Sequence, residues 1–285
     1  MNFKHILHEI EKVDSDASGR LDTRRAALKQ FRNFTGKVAL AAVPLAVGSL
    51  FKKAYAGTKG TNDVFDVLNY ALTLEYLEAE FYAKALMASN LIPSGAANMA
   101  IQTISNHETA HVNFLRTAIT AAGGTPVEKP EFDFSAGQGS GEGPFKDVFN
   151  DLGLFLAVAQ TFEDTGERAY KGRAAELKGT GDILTAALQI HSVEARHAAH
   201  IRLMRRNYGS GVGNLKPWKT GNMSGINSTA VQPSYDGEEN TNQAGVEIVN
   251  INGFPISMDA ATEAFDEPLT PEQVLAIVGG FIVPA

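Results

Sequence analysis

At 285 residues the chain is long enough for one substantial core or two small domains. Its net charge of -7 argues against nucleic acid as the main partner, because a phosphate backbone calls for a basic face. Cysteine is absent, which removes disulfides, zinc–thiolate sites and iron–sulfur clusters; any metal must be held by His and carboxylates, ligands suited to iron, manganese or zinc.

Residues 1–56 read as an export signal. The run from Thr23 through Arg24 and Arg25 to Lys29 resembles a twin-arginine motif, Val38 to Phe51 is apolar, and Ala54-Tyr55-Ala56 is a small-x-small cleavage pattern. The apolar run is shorter than the roughly 20 residues a transmembrane helix needs, so no stable membrane span is expected after cleavage. The location expected from these parts is the periplasm, or another compartment reached by the twin-arginine route. An amphipathic helix packed on the rest of the chain is the alternative.

Residues 57–208 read as four helices. After an N-cap candidate at Thr61-Asn62-Asp63, the apolar positions Phe65, Leu68, Ala71, Leu72, Tyr76 and Ala79 recur at helical spacing, and the segment continues to about Asn90. Leu91 to Gly95 breaks the pattern, and the second helix runs from about Ala96 to Ala122 as an antiparallel neighbour. Residues 123–145 form a long connection with Gly137, Gly139, Gly141 and Gly143 in alternation. A third helix covers roughly Phe145 to Leu177, and after a turn at Gly179 and Gly181 the fourth spans Asp182 to Tyr208. Two helical hairpins joined by one long crossover make an all-α four-helix bundle. Residues 209–285 form an irregular C-terminal extension expected to pack on the bundle. It holds a polar, Gly- and Asn-rich loop, a strand-like alternation from Val246 to Ile256, and a short helix opened by Thr270 and Pro271.

Two Glu-x-x-His pairs carry the chemistry. Glu108/His111 falls in the second helix and Glu194/His197 in the fourth, and residues three apart on a helix share a face. At nearly equal distances upstream stand Glu75 in the first helix and Glu163 in the third. One Glu from each of two helices plus a Glu-x-x-His from each of two others is the ligand set for two metal ions. With 7 His in the chain, chance supplies about half of one such pair, so a single pair would mean little. Two divalent cations would also neutralise four carboxylates that repel one another in a core.

Glu78, at i+3 from Glu75, and Glu167, at i+4 from Glu163, are candidates to orient a ligand His or to join the ligands. Tyr82 and Tyr170, each seven residues beyond its Glu, are candidate hydrogen-bond donors to a carboxylate, candidate redox relays, or simple core tyrosines. His107, His191 and His200 read as surface or structural histidines. His107-Glu108-x-x-His111 also matches the zinc-peptidase pattern, in which both His bind zinc and Glu is the base. That reading leaves Glu194, His197, Glu75 and Glu163 unexplained.

The segments DVLNYALTLEYLEAEFY (66–82), HETAHVNFLRTAI (107–119), TFEDTGERAYKG (161–172) and VEARHAAHIRLM (193–204) resemble the ferritin-like domain family that includes plant desiccation-related proteins and bacterial relatives. The likeness covers about residues 60 to 208, and residues 264–282 look similar to that family's C-terminal segment. It implies a ferritin-like bundle with a di-iron or di-manganese centre on Glu75, Glu108, His111, Glu163, Glu194 and His197. Gly166 stands where the third helix would match Glu78, so the two metal positions need not be equivalent. Two functions are compatible with the resemblance. One is an exported oxidoreductase acting on oxygen or peroxide, with ferroxidase- or catalase-like chemistry in oxidative stress. The other is a non-enzymatic structural or desiccation-protective protein with a structural metal site. A homo-oligomer is compatible with either.

Overall fold

The computed structural model describes residues 61–208 and 212–284, all within one compact unit. The twin-arginine-like motif, the apolar run and Ala54-Tyr55-Ala56 lie outside the described residues. The bundle consists of α1 (Thr61–Met87), α2 (Ala96–Ala121), α3 (Leu152–Ala174), which runs on into a 3-10 turn at Ala175–Leu177, and α4 (Asp182–Tyr208). α1 packs along α2, and α3 along α4, as two hairpins joined by the long crossover. The 27 residues of α1 and of α4 give each a length of about 40 Å, enough to enclose a buried layer between the ends.

The core is built around Phe81 of α1, which is fully buried. Its ring meets Phe134 and Phe149 of the crossover and Phe155 and Phe162 of α3 at centroid separations of 4.9 to 5.5 Å. Offset and edge-to-face aromatic pairs add about 0.5–1.5 kcal/mol each beyond the area they bury. One side chain thereby holds the crossover against both hairpins.

α3 starts at Leu152, not near Phe145 as the sequence suggests. Asp151 adopts an extended backbone, and its side chain accepts a hydrogen bond from Leu154 N at 3.0 Å, the arrangement of an N-cap. Phe145 and Val148 are buried at helical spacing, but they lie in turns; Phe145 stacks on Phe281 near the C-terminus. The alternating glycines of the crossover have a specific task. Asp133 accepts hydrogen bonds from the backbone of Ser135, Gly139 and Gly141, and φ is +95° at Gly139 and +70° at Gly141.

The extension contains a 3-10 turn at Thr229–Ser234, β1 (Asn242–Gln243), β2 (Val246–Glu247), a second 3-10 turn at Ile251–Gly253, α5 (Met258–Thr262) and α6 (Pro271–Val278). The strand expected from Val246 to Ile256 shrinks to a two-residue pairing, because Asn250 and Asn252 adopt positive φ and interrupt extended backbone. α6 does begin as its sequence indicates: Thr270 and Gln273 form a reciprocal capping box, with Pro271 in the first turn. The end of the chain pairs with the crossover through Asp133 N to Phe281 O at 2.8 Å and Val283 N to Glu131 O at 3.0 Å.

α3 is buried on every side from Phe155 to Tyr170. Its inner face meets the other helices, and its outer face meets the extension through buried charges. Arg168 donates to the carbonyls of Ser234, Asp236 and Glu267 and pairs with Glu238 at 3.0 Å. Lys219 pairs with Glu167 at 2.5 Å and Asp266 at 2.8 Å. Arg202 of α4 grips Asp164 with two hydrogen bonds, the fork-on-fork geometry that favours arginine at such sites.

Candidate metal centre

Each bundle helix delivers its acidic residues to one layer between the helices. Glu75 comes from α1, Glu108 and His111 from α2, Glu163 from α3, and Glu194 and His197 from α4. The four carboxylates are 0 % exposed, so they are not members of a solvated face. They form two overlapping groups: Glu75, Glu108, His111 and Glu194 in one, and Glu108, Glu163, Glu194 and His197 in the other. Within each group one donor atom per residue lies within 4.8 Å of all the others. Glu108 and Glu194 belong to both.

The histidines aim at shared points. His111 Nδ1 lies 3.1 Å from Glu75 Oε2, 3.1 Å from Glu108 Oε2 and 3.2 Å from Glu194 Oε1. His197 Nδ1 lies 2.8 Å from Glu108 Oε1, 3.2 Å from Glu163 Oε2 and 3.3 Å from Glu194 Oε2. A single N–H cannot satisfy three acceptors. Glu108 Oε1 and both oxygens of Glu194 are buried without a hydrogen-bond partner, although a ring nitrogen is close to each. Proximity without alignment is what donors converging on a common cation produce. The set of imidazole and carboxylate donors, with no thiolate, fits a divalent metal such as iron, manganese or zinc.

Two tyrosines complete a crossed arrangement. Tyr82 of α1 donates to Glu163 Oε1 of α3, and Tyr170 of α3 donates to Glu75 Oε1 of α1. Both phenols are held well above their ordinary pKa, first by burial and then by the carboxylate each faces. They therefore remain neutral donors. Of the three roles open to these tyrosines in the sequence, the hydrogen bond to a carboxylate is the one the geometry displays.

The electrostatics are those of an acidic cluster that needs positive charge. Burial pushes Glu108 up to about 7; the two histidines oppose this, and Glu163 and Glu75 reinforce it. Glu163 is pushed up to about 7, again first by burial, and Glu194 is raised by burial and by repulsion from Glu108 and Glu75. Burial works against charge on His111 and His197, but the surrounding carboxylates win and raise both. Protons therefore take the place of cations when no cation is bound.

Glu78 and Glu167 separate. Glu78 is buried beside the cluster and is held well above the ordinary carboxylate range by burial and then by Glu194, Glu163, Glu108 and Glu75. A Cβ on Gly166 would sit 3.1 Å from Glu78 Oε1 and 3.8 Å from Glu194 Cγ, so the glycine makes room for this additional acid. Glu167 turns outward to Lys219 and touches neither ligand histidine; its backbone carbonyl, not its carboxylate, meets His191 Nδ1 at 2.9 Å. A residue at i+4 from Glu163 shares its general face, but in a helix buried all round that face is divided between the bundle and the extension.

His107, read from the sequence as a surface or structural histidine, reaches the site. Its Nδ1 lies 2.9 Å from His197 Nε2, and the rings stack at a centroid separation of 5.2 Å. That contact fixes which nitrogen of His197 faces the carboxylates. His107 is not in either donor group, so the zinc-peptidase pattern does not assemble around Glu108. The clue in the sequence was only its adjacency to Glu108; its partner lies on another helix.

No curated protein gives a significant sequence match to this chain. The family model for the ferritin-like domain matches residues 63–207, just over half of the chain and all four helices that supply the site, and the chain belongs to the ferritin-like domain family.

Proposed function

We propose that this protein is a di-metal carboxylate oxidoreductase, holding two iron or two manganese ions and reacting with oxygen or peroxide. The observation that carries the reading is the membership of Glu108 and Glu194 in both donor groups, which would allow two ions to be held side by side with these two carboxylates in common. Glu75 and His111 would complete one position, and Glu163 and His197 the other. Bound there, the pair of ions supplies electrons and polarises the oxidant.

The rest of the chemistry belongs to the chain. Tyr82 and Tyr170 hold one oxygen of Glu163 and of Glu75, leaving the other oxygen of each to face the centre. His107 keeps the Nδ1 of His197 turned inward. Glu78 is buried beside the cluster, where burial and the neighbouring carboxylates favour its protonated form in the metal-free protein. Of the six candidate ligands His111 is the most exposed, at 12 % of its side chain against 6 % for His197 and 0 % for the four carboxylates, and an approach for the oxidant beside it would suit turnover rather than a structural role. Export through the twin-arginine route, which delivers folded proteins, would allow metal loading before translocation.

The test is anaerobic loading with iron(II) or manganese(II), followed by rapid mixing with oxygen or hydrogen peroxide. Oxidation of the loaded centre by oxygen, or sustained disproportionation of hydrogen peroxide, supports the oxidoreductase. Full loading with no reaction toward either oxidant leaves the structural or desiccation-protective reading.

A further inference from the structure

Four basic side chains are buried among the described residues: Arg168, Arg202, Arg205 and Lys219. Three of them face carboxylates, Arg168 against Glu238, Arg202 against Asp164 and Lys219 against Glu167. Arg205, in the last turn of α4, is only 5 % exposed and has no such partner among the described residues. Its guanidinium donates to Gln160 Oε1 and to the carbonyls of Ser224 and Gly225, all neutral acceptors. Asp164, whose charge it feels, already accepts both hydrogen bonds from Arg202. Burial lowers the pKa of Arg205, as it does for a cation short of negative charge. A buried charge without its counter-charge is destabilising, so this one invites an anion.

Arg205 is part of the wall of a cleft of about 440 Å³ where the end of the bundle meets the extension. That volume is within the roughly 300–1,000 Å³ of small-molecule sites. Phe145 of the crossover, Val158 of α3, and Ile226 and Val231 of the extension give the cleft apolar sides. The first turn of α3 lines it at Gly153 and brings the partial positive charge of a helix N-terminus. The acid in the wall, Asp151, is exposed, and its Oδ1 accepts from Leu154 N. None of the six candidate metal ligands lines the cleft.

Charge and polarity select the occupant. A guanidinium has five N–H donors, and three hydrogen bonds to the protein leave Arg205 two for a ligand. Two donors match the two oxygens of a carboxylate. A phosphate dianion would bring a second negative charge toward Asp151 with no cation to meet it. An ion without an apolar body would leave the sides of the cleft in water. We infer that this cleft binds a small organic monocarboxylate, its head on Arg205 and its apolar body between α3 and the extension.

The test is calorimetric titration of the metal-loaded full chain with octanoate and with 3-phenylpropionate. Octylamine is the control of opposite charge, and inorganic phosphate the control without an apolar body. At least one of the acids is expected to bind at a single site with a Kd below about 1 mM, more tightly than either control. Removing the metal with a chelator is expected to leave that affinity unchanged. Arg205→Met is expected to weaken the acid by about tenfold or more, with metal content unaltered. Ala157→Phe fills the cleft while keeping Arg205 and its hydrogen bonds, and is expected to abolish binding; it decides the matter if Arg205→Met does not fold. No binding of either acid to wild type, or octylamine or phosphate bound as tightly, would overturn the inference. So would loss of binding together with the metal, which would place the acid on the metal centre, or full affinity in either folded variant.

Discussion

Tyr82, on the first helix of the bundle, donates its hydroxyl to the Glu163 carboxylate on the third. Tyr170 and Glu75 repeat the contact in the opposite direction. The two hydrogen bonds tie the hairpins together across the layer of buried carboxylates and leave one oxygen each of Glu163 and Glu75 facing inward. Removing such a partner of a metal ligand costs about 10–100-fold in metal affinity. Tyr82→Phe and Tyr170→Phe are therefore each expected to weaken metal binding by an amount in that range, measured by competition with a chelator. The two effects should be similar because the contacts are equivalent. Unchanged affinity in both would show that the tyrosines are packing groups only.

The protonation of the cluster has a consequence for stability. Glu108 and Glu163 are raised from 4.5 to about 7 on folding, so between those values the folded, metal-free protein binds more protons than the unfolded chain. His197 is raised from 6.5 to about 12 by its carboxylate neighbours, with the same sign at higher pH. Stability linked to these groups is fully present below the unfolded values and declines as pH rises through the folded ones. With a chelator present, the urea midpoint is expected to be higher at pH 5 than at pH 8. Manganese(II) should reverse the trend, since cations displace the protons and bind better as pH rises. A metal-free midpoint that increases between pH 5 and 8 would contradict this account.

Gly166 lies in the middle of a helix, where Ala would ordinarily be favoured by about 0.5–1 kcal/mol. Its added Cβ would press on Glu78 Oε1 at 3.1 Å. Gly166→Ala is expected to be neutral or destabilising in the wild type and stabilising by up to about 1 kcal/mol in a Glu78→Ala background. Denaturant unfolding of the four proteins measures the coupling. Equal effects in the two backgrounds would mean that the glycine does not accommodate Glu78.

Lys219 is nearly fully buried between the bundle and the extension, with Glu167 and Asp266 as its close partners. Lys219→Met removes the positive charge and leaves acids of the network without it. Breaking a buried pair costs about 3–5 kcal/mol; the lower end applies here because Asp266 is 38 % exposed. The expected result is a loss of about 3 kcal/mol, with faster proteolysis in residues 212–284 than in the bundle. A loss below about 1 kcal/mol would show that the extension is held by its apolar contacts.

Much of the site could be read from the sequence because its geometry is local. Glu108/His111 and Glu194/His197 declare themselves through three-residue spacing on a helix, and Glu75 and Glu163 through their place in the preceding helices. Contacts between helices left no such trace. The spacing shared by Tyr82 and Tyr170 showed a repeat but not that each tyrosine would reach the other hairpin's carboxylate. His107 appeared idle because its partner is 90 positions away. Glu167 was misplaced for a similar reason: the extension, which supplies Lys219, competes with the bundle for the surface of the third helix. The start of that helix was set too early because Phe145 and Val148 are buried at helical spacing in turns that Asp151 then terminates.

The central claim is that two ions share Glu108 and Glu194. Its most direct test is the number of manganese ions retained per chain after loading, determined by plasma mass spectrometry for wild type, Glu75→Ala and Glu108→Ala. Two equivalents in wild type, about one in Glu75→Ala and fewer than one in Glu108→Ala are expected, since the first variant damages one position and the second damages both. One equivalent or none in wild type, or full retention in Glu108→Ala, would contradict the two-ion centre.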